Sequence, residues 1–180
     1  MASAIMPPAP LVPVEQVKAY LRIAGSEEDA LIAGLVRSAT QLCEAFTRTI
    51  LVEHEVEEPI AARAAWTRLS LAPVRAITGV SALGVRGDES AIAAADYAMD
   101  IDARGDGWVR MLHAAAASGR VSVRYTARLA TGWNGVPEPL RQGVVRMAAH
   151  FYAHRDAVDD SGPAAAVTAL WLPYRRLRLC

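Results

Sequence analysis

The hydrophobic period of this chain changes twice, and that double switch limits its fold more than any other feature. Up to Thr49, apolar residues recur every three or four positions, as on one face of a helix. Val52, His54 and Val56 then alternate with Glu53, Glu55 and Glu57, as on a strand with one wet, acidic face, and after Gly135 the helical period returns in Leu140, Val144, Met147 and Phe151. A pattern written for one period does not settle into the other. The expectation is an α+β fold: helices that belong in a bundle, a small antiparallel β-sheet or sandwich, then a long helix.

Punctuation refines this. Four prolines, Pro7, Pro8, Pro10 and Pro13, make residues 1–12 an extended arm. Pro13 opens a helix with Val14, Val17 and Leu21 on one face, and Gly25 is placed to end it. Ser26 can cap the next helix, whose first turn carries Glu27, Glu28 and Asp29 where the helix dipole favours negative charge. Leu31, Leu35, Leu42 and Phe46 form its stripe, widened by Ile32, Val36 and Cys43, so this helix is expected to meet two neighbours. Strands are expected at His54 and its neighbours, Trp66–Leu71, Ile77–Leu83, Tyr97–Ile101, Gly107–Leu112 and Arg120–Arg128, separated by the turn residues Pro73, Gly84, Gly87-Asp88, Gly105-Asp106-Gly107 and Ser118-Gly119. The last long helix is expected over 137–157, followed by a loop at 159–163, a brief apolar turn to Leu172, and a tail released by Pro173.

With 180 residues, 53% of them hydrophobic, the chain can bury a real core. Nineteen basic side chains balance nineteen acidic ones, which argues against a dedicated nucleic-acid binder. The balance is uneven along the chain: residues 1–109 hold 15 acidic and 9 basic groups, residues 110–180 hold 4 and 10. Opposite patches suit head-to-tail contacts between identical subunits, unless the fold brings the two signs together internally. Two cysteines, Cys43 and Cys180, make neither a disulfide framework nor a four-ligand zinc site. The proline-broken N-terminus is expected not to act as a signal peptide, and no run is long enough to span a bilayer.

Each candidate for chemistry has a plainer alternative. His150 and His154 stand four apart on the last helix, the spacing of two imidazoles sharing a metal, but the carboxylate and third ligand of a metal-dependent hydrolase are missing. Asp100, Asp102 and Asp106 resemble a calcium loop in spacing, yet Arg104 and Met111 occupy ligand positions, so a hairpin tip is expected. No phosphate-cradling glycine loop with its lysine and no Gly-x-Ser-x-Gly elbow occurs. Glu53, Glu55, Glu57 and Glu58 suggest acid-base carboxylates, but alternation puts the first three on one exposed face, where a solvated strand is the common outcome. No catalytic, cofactor or metal residue is therefore assigned.

The C-terminus is different. Trp171, Leu172, Tyr174, Arg175, Arg176, Leu177, Arg178 and Leu179 concentrate the residue types that anchor interfaces. They form either a docking tail over 174–180, primed by Trp171 and Leu172, or a last strand packed on its own domain.

Several segments taken together resemble the head-tail connector, or adaptor, family of long-tailed bacteriophages and gene transfer agents. They are Val14–Ile23, Glu27–Ile32 and Phe46-Thr47-Arg48; then Leu69–Val80 and Ala95-Asp96-Tyr97; then Val136–Gln142, His150-Phe151-Tyr152 and Leu172–Arg176. The resemblance implies a single connector domain over 13–173, with helices at 13–49 and 137–157 and a β insertion at about 50–134. It further implies a structural subunit of a ring, usually dodecameric, in a virion or phage-like particle assembled in the bacterial cytoplasm. That ring docks on the portal protein through the C-terminal tail and receives a tail terminator or stopper on its other side. DNA passes through its lumen unread. A ring subunit needs no cofactor and no active site. The alternatives are a small metal-dependent hydrolase built on His150 and His154, and a DNA-binding packaging accessory protein.

Overall fold

Residues 12–84, 88–112, 119–154 and 163–176 are described by a computed structural model, and the chain divides into two compact units, 1–47 with 132–180 and 48–131. The first unit is helical and the second is β, an α+β class. The proline-rich arm up to residue 11 lies outside the described residues.

In the helical unit, α1 (Val14–Leu21) follows Pro13 and buries Val17. It ends three residues earlier than Gly25, because Arg22 adopts the left-handed conformation at φ 59° and the N–H groups of Arg22 and Ile23 close on the carbonyls of Ala19 and Lys18. Helix α2 (Asp29–Thr47) buries Ile32, Val36, Ala39, Cys43 and Thr47. Its buried face is thus turned from the expected leucine stripe: Leu31 is 40% exposed, and Leu35, Leu42 and Phe46 are half-buried at the flanks. Small side chains at Ala39 and Cys43 allow close packing, which leaves the larger leucines at the rim. Helix α3 (Glu138–Ala153) packs Leu140, Gly143, Val144, Met147 and Ala148 inward. Its last residue is Ala153, with His154 as the cap, and the rest of the expected span to 157 lies outside the described residues. The approach to it is a 3-10 turn, Trp133–Gly135, whose buried indole N–H donates to Gln16 of α1 at 3.2 Å. Helix α4 (Ala165–Trp171) and a 3-10 turn, Leu172–Tyr174, complete the unit. Lys18 pairs with Asp29 at 2.7 Å, tying α1 to α2, and Tyr152 donates to Glu28, tying the end of α3 to the start of α2.

The β unit holds seven strands: β1 (His54–Ala61), β2 (Thr67–Arg68), β3 (Val74–Leu83), β4 (Glu89–Ala91), β5 (Tyr97–Ile101), β6 (Gly107–Met111) and β7 (Arg120–Ala127). They form two antiparallel sheets, one ordered β1-β7-β3-β4 and the other β2-β6-β5. The first and last long strands pair over eight residues, from His54 opposite Ala127 to Ala61 opposite Arg120, so the two ends of the unit lie side by side. Both sheets feed one core: Ile60, Val74, Val80, Val121, Val123, Tyr125 and Ala127 from the first, Val109 and Met111 from the second. β2 is much shorter than the expected Trp66–Leu71, because the Ser70 N–H goes to the Glu58 carboxylate, at 2.9 Å to Oε2, instead of a neighbouring strand.

The charges of the two chain halves meet inside this unit. Glu53 pairs with Arg128 at 2.9 Å, and Arg124 lies 3.5 Å from Glu57 and 3.9 Å from Glu89. Each unit is balanced on its own, nine acidic against nine basic in the helical unit and ten against ten in the β unit. Part of the lengthwise asymmetry is thus met by pairs within the β unit, the internal alternative that the sequence left open.

Candidate docking surfaces

Trp171 was expected to anchor on a partner, but its place is the core of the helical unit, where it is fully buried. It lies against the one residue of α3 that leaves room for it: a Cβ on Gly143 would stand 2.0 Å from Trp171 Nε1. Its ring meets Phe46 at 5.9 Å between centroids. The segment beyond continues on the same unit. Arg175 sets its guanidinium 5.4 Å from the Phe46 ring centre, and the Arg176 N–H donates to the Thr47 carbonyl at 3.0 Å. Leu172 is 55% exposed, Tyr174 half-buried and Arg175 exposed. Leu177, Arg178 and Leu179 fall outside the described residues.

The two helical histidines stack on each other, with ring centroids 4.3 Å apart, and His154 Nδ1 lies 3.1 Å from the His150 carbonyl. Among the described residues no three His, Cys, Asp or Glu side chains come together as a metal site. The aspartate cluster is a hairpin tip between β5 and β6. Asp102 Oδ1 accepts the N–H groups of Arg104 at 2.8 Å and Asp106 at 3.0 Å, and Oδ2 accepts the Trp108 indole N–H at 3.2 Å. Partial burial works against the charged form of Asp102, but these hydrogen bonds, Asp106 foremost, outweigh it and hold the carboxyl below its ordinary range. Gly105, at φ +76°, closes the tip against Pro73, which a Cβ would approach to 2.8 Å.

One polar centre escaped the sequence reading. Tyr125 donates to Glu58 Oε2 at 2.7 Å, Ser70 Oγ donates to the same oxygen at 2.8 Å, and the Leu71 N–H donates to the tyrosine oxygen at 3.3 Å. Burial first, then the Glu58 carboxylate, push the Tyr125 hydroxyl well above its ordinary pKa. The inward alternation of Glu58 was the available signal. Its partner, 67 residues away, was not.

Two grooves open on the helical unit. One, of about 410 Å³, is lined by Leu31, Leu35, Ser38, Phe151 and His154 between α2 and α3. The other, of about 370 Å³, lies between α1 and α3 and includes Gln16, Tyr20, Glu138 and Arg141. Among the described residues no helix is long and apolar enough to cross a membrane.

The family model described as "Head completion protein" matches residues 10–164. The chain belongs to that family. It is the head-tail connector family whose motifs the sequence resembles, and a connector role follows at that level. Solved structures agree in fold. A chain from the neck of an empty gene transfer agent particle, computed with C6 symmetry, superposes with a TM-score of 0.76 at 24% identity, covering 94% of this chain and 92% of the other. A chain from the virion of a native gene transfer agent particle gives 0.74 at 24%, covering 99% and 96%. A chain from the neck of the native particle, computed with C12 symmetry, gives 0.70 at 26%, covering 94% and 93%. No curated protein matches.

Proposed function

We propose that this head completion protein is a non-catalytic subunit of a dodecameric ring at the head-tail junction of a phage-like particle. The ring docks under the portal protein, receives a tail terminator or stopper on its other face, and lets DNA pass through its lumen without reading it. Assembly takes place in the bacterial cytoplasm. The observation that carries this reading is the family match over residues 10–164 joined to a whole-chain likeness to a neck subunit solved with C12 symmetry. The charge balance within each unit supports it, since a lining for passing DNA profits from weak attraction and a DNA reader does not.

Of the residues expected at the portal contact, we assign Tyr174, Arg176, Leu177, Arg178 and Leu179 to the portal, and Leu172 and Arg175, exposed on the helical unit, to a neighbouring subunit as argued below. Trp171 serves the fold instead, as a fully buried side chain of the helical unit. Apolar side chains there supply most of the affinity, and the arginines steer and set register. Repetition around a ring turns a weak single contact into a stable joint. The test is a symmetric reconstruction of the neck of particles that carry the protein with a fused label. Density for the label at the vertex between portal and tail supports the reading, and density on the head shell or the tail tip refutes it.

A further inference from the structure

Glu28 and Tyr152 join the start of α2 to the end of α3, while Trp171, Phe46 and Arg176 gather at the other end of the same helix pair. The two ends differ in a complementary way. At the first, Leu31, Leu35 and Phe151 leave an apolar groove, and Glu27, one turn before Leu31, is exposed and without an ion pair among the described residues. At the second, Leu172 stands out as one of the most exposed large apolar side chains of the described residues, beside Arg175, which is exposed and has no carboxylate partner among them. Along α2 the groove residues Leu31 to Ser38 stand roughly 12–22 Å from the Phe46 end, at 1.5 Å per residue. A subunit cannot fill its own groove with its own Leu172.

We infer that Leu172 of one subunit enters the Leu31–Leu35–Phe151 groove of a second copy of this chain, with Arg175 facing that copy's Glu27. The occupant is a second copy because the neck structures that this fold resembles were computed with C6 and C12 symmetry, because Arg175 beside the knob and Glu27, one turn before Leu31, are of opposite sign, and because knob and groove lie at opposite ends of one helix pair. That is the arrangement a heterologous, ring-closing contact requires. The inference rests on the proposed connector ring and names the surface that closes it. Water leaves an apolar groove and an exposed leucine at once, and the charge pair at the rim fixes the register.

The test uses the full chain in assembled particles. Ser38, exposed at the groove wall, and Leu172 are replaced together, Ser38→Cys with Leu172→Cys, in a Cys180→Ser background, Cys43 being buried. Within one subunit the pair is too far apart for a disulfide, which needs Cα atoms within about 7 Å. Mild oxidation should give a ladder of covalent oligomers on a non-reducing gel, dissolved by reductant, while Ser38→Cys alone stops at monomer. Monomer alone from the double variant, at wild-type copy number per particle, overturns the contact. A second variant, Ser38→Trp, fills the groove at an exposed position; with an unchanged melting temperature it should enter particles at least tenfold less, and wild-type incorporation overturns the inference. If wild-type protein is itself absent from the neck, the connector reading fails, and this contact with it.

Discussion

Gly143 and Trp171 occupy what is nearly one volume: the indole nitrogen lies 2.0 Å from where a Cβ on residue 143 would be. The glycine weakens α3 by its backbone freedom, about 1 kcal/mol relative to alanine, and the close approach of a fully buried tryptophan offsets that cost. Gly143→Ala should therefore destabilise the protein by about 1–3 kcal/mol despite its better helix propensity. Urea unfolding followed by tryptophan fluorescence measures it. An unchanged or raised midpoint would show that Trp171 moves aside freely.

Alkaline pH should loosen the two units in different ranges. Burial, aided by Glu44, pushes the Cys43 thiol up, and burial with Glu58 does the same for Tyr125. A folded-state pKa above the unfolded one stabilises the fold below the unfolded value, and that stabilisation is lost as pH rises beyond it. The loss should begin near pH 8.5 for Cys43 and near pH 10 for Tyr125. Tyr125→Phe should lower stability by about 1–2 kcal/mol at neutral pH, by removing a donor to Glu58, and flatten the decline above pH 10. A melting-temperature series over pH 7–11 on both proteins decides; parallel curves would contradict the assignment.

Asp102 works in the other direction. Its depressed carboxyl pKa stabilises the hairpin above the ordinary aspartate value near 3.9, and the stabilisation disappears as acid protonates the folded form below it. Asp102→Ala should lower the melting temperature by about 2–4 °C at pH 7 and by less at pH 3. An equal loss at both pH values would mean that the carboxylate charge plays no part.

Deleting residues 177–180 should leave the subunit folded, because the described fold closes at Arg176 on the Thr47 carbonyl. Circular dichroism and melting should match the full chain, while attachment to portal-bearing heads should fall at least tenfold. Normal attachment would move the portal contact elsewhere on the subunit.

Local features of this fold were legible in the sequence and distant ones were not. The switch of period at Thr49 and its return before α3 marked the helical and β parts, because burial imposes the same alternation on every residue of an element. The Asp102 tip was readable as a hairpin because the donors to the Asp102 carboxylate, Arg104, Asp106 and Trp108, lie within six residues of it. The face of α2 was misjudged because side-chain size, not hydrophobicity alone, decides which flank approaches a neighbour: Ala39 and Cys43 went in and Leu31 stayed at the rim. Trp171 looked like a free anchor because its cavity is made by Gly143, 28 positions earlier, whose role shows only when the helices are packed. The pairing of Glu53 with Arg128 and of Glu57 with Arg124 joins charges from the two halves of the chain across neighbouring strands. No pattern within one strand could reveal that.

A protein that joins heads to tails leaves both parts intact and separate when it is missing. The most direct test is electron microscopy of particles from a producing strain that lacks the gene, with and without the gene supplied in trans. The expected result is DNA-filled heads and separate, normally built tails without the gene, and tailed particles when it is restored. Tailed, infectious or transfer-competent particles in the strain without the gene would contradict it.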